Sequence, residues 1–172
     1  MPASAMMRNP AAGAAIVIAV VGAAAILGAF FFQYGLGLVP CPLCLEQRIA
    51  YYFAIPLALI VAFAASRGAP RALLAAALAL IALAMLANAG LGVYHAGIEW
   101  KFWPGPADCS GPLTSLGRAS DLMKQLRNVT VVRCDEAAWR FLGLSLAGYN
   151  VLISLALAAI AVWGVARTRR PA

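Results

Sequence analysis

Four stretches of this chain contain no Asp, Glu, Lys or Arg: residues 9–45, 49–66, 72–98 and 141–166. A hydrocarbon core about 30 Å thick is crossed by roughly 20 helical residues, with a range of about 17–25, so each stretch is long enough to span. A soluble domain covers its surface with polar groups and carries about 25% charged residues. This chain of 172 residues has 11%, against 64% hydrophobic. The expectation is therefore an all-α integral membrane four-helix bundle, one domain over 1–172, with spans at about 12–33, 46–65, 72–96 and 141–166. Pro56 inside the second span suggests a kink that neighbouring helices must accommodate. The first block follows Arg8 as a signal peptide would, but its apolar run far exceeds the 7–15 residues of a signal core. It is read as a span.

The remaining chain is short except for one loop, about 99–140, the only segment long enough for chemistry outside the bilayer. Orientation rests on the basic residues. Arg8, Arg67, Arg71, Arg167, Arg169 and Arg170 fall on one side, in short segments hard against span ends and free of acids. Arg48, Lys101, Arg118, Lys124, Arg127, Arg133 and Arg140 fall on the other, with every Asp and Glu. The count is nearly even. The positive-inside rule is strongest in short, span-proximal segments, which places both termini in the cytoplasm. The formal net charge of +7 then reflects membrane anchoring. No basic run interleaves with aromatics as a nucleic-acid groove requires, so no nucleic-acid partner is expected. Trp100, Phe102, Trp103 and Trp139 stand at span ends, where an aromatic belt belongs.

The chain has four cysteines, Cys41, Cys44, Cys109 and Cys134. Between Cys44 and Cys109 it crosses the membrane twice, and between Cys109 and Cys134 not at all, so all four share one face. With the termini inside, that face is extracytoplasmic and oxidising, where disulfides persist. In VPCPLCLEQR, Pro40 and Pro42 suit the first turn of a helix, where a missing N–H costs nothing. Helix two is expected to start at Cys41 or Pro42, which puts Cys44 near the partial positive charge of the N-terminus. At 100° per residue, Cys41, Cys44 and Arg48 fall within about 60° of one another. A helix N-terminus, a neighbouring arginine and Cys-x-x-Cys spacing are the settings that lower a thiol pKa. A two-residue loop gains little as a staple and is strained and reducible, so the pair is read as redox-active. A zinc site would want a second close pair, and Cys109 and Cys134 stand 25 residues apart. No metal site is expected.

The loop pair admits two readings. If bridged, it closes a loop worth about 3 kcal/mol on the chain-entropy estimate, and stapling could be its whole role. Cys109 also lies on a Gly/Pro-rich turn that another protein could reach. Between the two cysteines, Leu113, Leu116, Leu122, Met123, Leu126 and Val129 recur at three and four spacings with Arg118, Lys124 and Arg127 between them. That pattern fits a short amphipathic helix on the membrane surface, or one packed on the protein.

CPLCLEQR at the head of the second span, two later loop cysteines and DEAAWRFLGLSLAGYN leading into the fourth span together resemble the bacterial DsbB family. The vitamin K epoxide reductase group is a related architecture, but its loop cysteines precede the Cys-x-x-Cys; here they follow it. The resemblance implies that Cys41 and Cys44 pass electrons to ubiquinone or menaquinone, with Cys44 facing the ring. It implies that Cys109 and Cys134 reoxidise a periplasmic DsbA-like thiol oxidase, Cys109 forming the mixed disulfide. Arg48 matches an arginine beside the quinone, and His95 a histidine near its ring. Glu46 receives no role, because Gln47 separates it from Arg48. The implied location is the bacterial inner membrane, with the cysteines periplasmic. The competing reading is a non-enzymatic four-helix membrane protein with two structural disulfides.

Overall fold

The computed structural model describes residues 9–106 and 134–169. Cys109 and the amphipathic segment proposed between the loop cysteines lie outside the described residues. Four long helices make up the molecule: α1, Pro10–Phe30, continued by one π-helical turn, Phe31–Gly35; α2, Pro42–Ser66; α3, Arg71–Glu99; and α4, Leu146–Arg169. Each is long and apolar enough to cross a membrane. Large apolar side chains face outward on all four, among them Leu27, Ile60, Leu83 and Val162. That outer surface is what lipid requires of a multi-pass membrane protein.

The helix starts follow from local chemistry. Asn9 caps α1, its Oδ1 accepting from the Ala11 N–H at 3.0 Å, with Pro10 in the first turn. Cys41 caps α2 in the same manner: its backbone is extended, its sulfur accepts from the Cys44 N–H at 3.3 Å, and Pro42 follows. The helix expected to begin at Cys41 or Pro42 does so. It then runs through Pro56 without a break. Gly68, at φ +74°, turns the chain between α2 and α3. The fourth span begins later than the sequence suggested. Residues 140–145 form a two-stranded antiparallel hairpin, β1 (Arg140–Phe141) and β2 (Leu144–Ser145), with Arg140 opposite Ser145. Leu142 at φ +50° and Gly143 at φ +81° form its turn, a backbone no helix can contain.

Alanines alternate in the core with larger side chains such as Ile18, Leu78, Met85 and Leu157, and small residues let backbones approach closely where apolar burial alone does not drive helices together in lipid. A Cβ added at Gly164 would stand 2.8 Å from Ala14 Cβ and 3.0 Å from Leu78 Cδ1, so α1, α3 and α4 meet there. One at Gly92 would stand 2.8 Å from Val151 Cγ2 and 3.2 Å from Asn150 Nδ2. That approach of α3 to α4 places the polar side chains described next.

Candidate functional site

At the N-terminal end of α2 the two sulfurs of Cys41 and Cys44 lie 2.7 Å apart. Cys41 is 4% exposed, and it packs in one cluster with Leu43, Ile98 and Cys134. Its sulfur faces His95 Nε2 across 3.6 Å, a contact reaching from α2 to the last turns of α3. A side-chain hydrogen bond from Cys44 lowers the Cys41 thiol to about 5, opposed by burial and assisted by His95. A neighbouring donor stabilises a thiolate, and the thiolate is the species that attacks disulfides.

His95 is held from its other side. Gln47 Nε2 donates to His95 Nδ1 at 2.9 Å, and Asn150 Nδ2 donates to Gln47 Oε1 at 2.7 Å. Asn150 Oδ1 in turn accepts from Tyr51 Oη at 2.7 Å and from Asn88 Nδ2 at 3.2 Å. Asn88 Nδ2 also reaches Ser154 Oγ at 2.9 Å. A polar chain thus runs from the dithiol into the centre of the bundle, through α2, α3 and α4. Glu99, one turn beyond His95, is buried with its Oε1 3.8 Å from His95 Nε2. Its Oε2 has no hydrogen-bond partner among the described residues.

A cavity of about 630 Å³ opens beside the pair between α1, α2 and α4. Cys44, Gln47, Arg48, His95 and Asn150 reach its wall; Val21, Ala25, Phe32, Trp139, Phe141 and Ile153 make most of the rest apolar. Phe141 stacks on Trp139 at 5.8 Å, and Phe32 meets the same indole at 4.9 Å. The Arg48 guanidinium lies 5.5 Å from the Phe30 ring centre and donates from Nη1 to Gln33 Oε1 at 2.6 Å. Gln33 sits in the π-helical turn that ends α1; such turns cluster at functional sites.

Cys134 is disulfide-bonded and buried against Cys41. Its backbone also reaches His95. The segment carrying it is tied to the end of α3, where Lys101 Nζ meets Asp135 Oδ2 at 2.7 Å and the Asp135 carbonyl at 2.9 Å. Of the residues singled out in the sequence, Cys41, Cys44, Arg48, His95 and Cys134 therefore meet at one end of the bundle, and Cys109 lies outside the described residues. The sequence reading missed Gln33, Gln47, Asn88, Glu99 and Asn150. Their signal was present, since a polar side chain within an otherwise apolar span is costly unless it has work to do.

The two sulfurs and His95 Nε2 lie within 4.8 Å of one another, a spacing able to hold a metal ion. With Nδ1 accepting from Gln47, however, the neutral ring carries its proton on Nε2, which sets the imidazole against ligation.

Known proteins of similar sequence extend over most of the chain. A Disulfide bond formation protein B from Xanthomonas campestris pv. campestris (strain 8004) is 31% identical over 145 residues, covering 83% of each chain. One from Aromatoleum aromaticum is 30% identical over 149 residues, 85% of this chain and 87% of that one. One from Stutzerimonas stutzeri is 27% identical over 168 residues, 94% and 99% respectively. No solved structure matches the chain. Residues 11–164 match the family described as Disulfide bond formation protein DsbB, and the chain belongs to that family.

Proposed function

We propose that this protein is a thiol oxidoreductase of the bacterial inner membrane that reoxidises a periplasmic DsbA-like dithiol protein and delivers the electrons to membrane quinone. The observation that carries this reading is the placement of Cys44 and Arg48 on one apolar cavity, with the companion sulfur of Cys41 buried against Cys134. A dithiol oxidised to a disulfide releases two electrons and two protons. Cys109 and Cys134 take them from the partner's dithiol, and Cys41 and Cys44 take them from the loop pair by thiol–disulfide exchange. Orientation with both termini cytoplasmic puts these cysteines on the periplasmic face, where a soluble partner can reach them.

The cavity residues fit a quinone. Its volume lies within the range of about 300–1,000 Å³ usual for small-molecule sites, and its walls are mostly apolar with a few polar groups. Arg48 would hold a ring carbonyl, with Gln47 and Asn150 as further polar contacts, and Val21, Ala25 and Ile153 would line the tail. When bound, quinone supplies the two-electron, two-proton sink for the dithiol. The chain's own part is positional. Cys41 is kept anionic by Cys44 and His95, Arg48 is anchored by Gln33 and Phe30, and Phe32, Trp139 and Phe141 supply an aromatic wall.

The test is oxidation of a reduced thioredoxin-like protein by the purified chain with a soluble ubiquinone, followed by loss of quinone absorbance. Turnover should require quinone and vanish in Cys44→Ser. A Cys41–Cys44 pair that never changes oxidation state during turnover would refute the proposal.

A further inference from the structure

Gln47 and Asn150 reach the cavity wall, and the buried amide chain they belong to also ends on the one histidine of the sequence. Its polarity is set from the bundle centre. Asn150 Oδ1 accepts from Tyr51 and Asn88, so its Nδ2 faces Gln47; Gln47 Oε1 receives that proton, so its Nε2 faces His95 Nδ1. A ring nitrogen that accepts cannot carry the proton in neutral imidazole. The proton is therefore on Nε2, and Nε2 faces the Cys41 sulfur at 3.6 Å.

We infer that Gln47 and Asn150 are positioning residues that hold His95 in its Nε2–H tautomer, so that the ring donates a hydrogen bond to the Cys41 sulfur when that sulfur is anionic. This rests on Cys41–Cys44 being the reactive pair. Without the amide chain the ring is free to carry its proton on Nδ1, and a bare Nε2 lone pair then faces the thiolate. A partner that fixes a histidine tautomer from its far side is the same device that orients histidine ligands at metal centres. The other groups facing this sulfur are Cys44 from α2, Glu99 beyond His95 on α3, and the disulfide-bonded Cys134. Arg140 of β1 and Ser145 of β2 act on Glu99. The backbone of Cys134 also reaches the ring; the side chain placed on Nδ1 is Gln47, whose Nε2 can only donate, so Gln47 and, through it, Asn150 set the tautomer.

The experiment uses the reduced, quinone-free full-length chain. Histidine labelled with ¹⁵N gives a spectrum of His95 alone, and the alkylation rate of Cys41 against pH gives its thiolate fraction. In the wild type, Nδ1 should resonate as unprotonated and Nε2 as protonated. Gln47→Met, which keeps the volume and removes the amide, should mix the two tautomers and raise the midpoint of Cys41 alkylation by about one pH unit, a fall of about fivefold in rate at pH 5, since a hydrogen bond to a charged group is worth about 1.5 kcal/mol and one unit is about 1.4 kcal/mol. Asn150→Leu should act in the same direction and more weakly. A protonated Nδ1 in the wild type would overturn the inference. So would variants that lose only thermal stability, with the tautomer and the Cys41 profile unchanged. Neither readout involves quinone or a partner protein, so a wild type without quinone-linked turnover would sink the proposed function by a separate result.

Discussion

Gln33 Oε1 accepts a hydrogen bond of 2.6 Å from Arg48 Nη1, joining the π-helical end of α1 to the second turn of α2 in the wall of the cavity. The guanidinium also lies over the Phe30 ring. An arginine has many rotamers, and two partners from α1 select one of them. Replacing Gln33 by Leu should leave the bundle intact and raise the KM for quinone by about tenfold, the lower end of what a charge-assisted hydrogen bond contributes. A quinone titration with unchanged KM would separate Gln33 from the binding site.

The Cys41 thiol, lowered to about 5, gives a pH signature. In the reduced protein its alkylation should be near its plateau at pH 7 and fall away below pH 5. The first cause is the Cys44 hydrogen bond, so Cys44→Ala should move the midpoint up towards the ordinary thiol value of about 8.5. The linkage has a definite sign: the folded pKa lies below the unfolded one, so the contribution to stability is fully present above the unfolded pKa and lost as pH falls through about 5. Thermal unfolding of the reduced chain between pH 5 and 9 should show that slope, and Cys41→Ser should flatten it.

Asn88 Nδ2 serves both Asn150 Oδ1 and Ser154 Oγ. Asn88→Leu keeps the volume and takes that donor from both. Interhelical hydrogen bonds in membranes average about 0.6 kcal/mol, with a maximum near 1.7, so the loss should be about 1 kcal/mol. Unfolding in mixed detergent would measure it. A neutral result would mean that Tyr51 and Ser154 satisfy Asn150 without it.

Gly97 is a close-approach glycine. A Cβ there would fall 2.0 Å from Trp103 Cζ2, while Trp103 stacks on Tyr94 and donates from Nε1 to the Tyr94 carbonyl at 2.9 Å. Gly97→Ala should expel the indole from this seat and shift tryptophan emission to the red. Because Ile98 and Glu99 follow directly, the same variant should slow turnover. Unchanged emission would show that the backbone yields in place of the ring.

Much of this arrangement was legible in the chain itself. Uncharged runs of spanning length fixed four helices, because lipid admits no other way to satisfy so much backbone. Pro42 after Cys41 marked the start of α2 and so put the dithiol at a helix N-terminus. Counting crossings predicted one face for the cysteines, and Cys41, Cys44 and Cys134 do meet at one end of the bundle. The boundary of α4 was less legible, since Leu142 and Gly143 adopt positive φ to turn a hairpin and no hydropathy pattern reports φ.

The rotation and depth of one helix against another were decided only in three dimensions. Cys41 and His95 are 54 residues apart in the chain, and Gln47 and Asn150 are 103 apart. Helical periodicity says which side chains share a face of one helix, and it is silent about which faces meet. That choice was made by contacts such as Gly92 against Val151 and Gly164 against Ala14, where missing side chains let backbones close to a few ångströms. Composition was enough to specify a membrane bundle with a dithiol at its edge. Packing alone aimed a histidine at the sulfur and an arginine at the cavity.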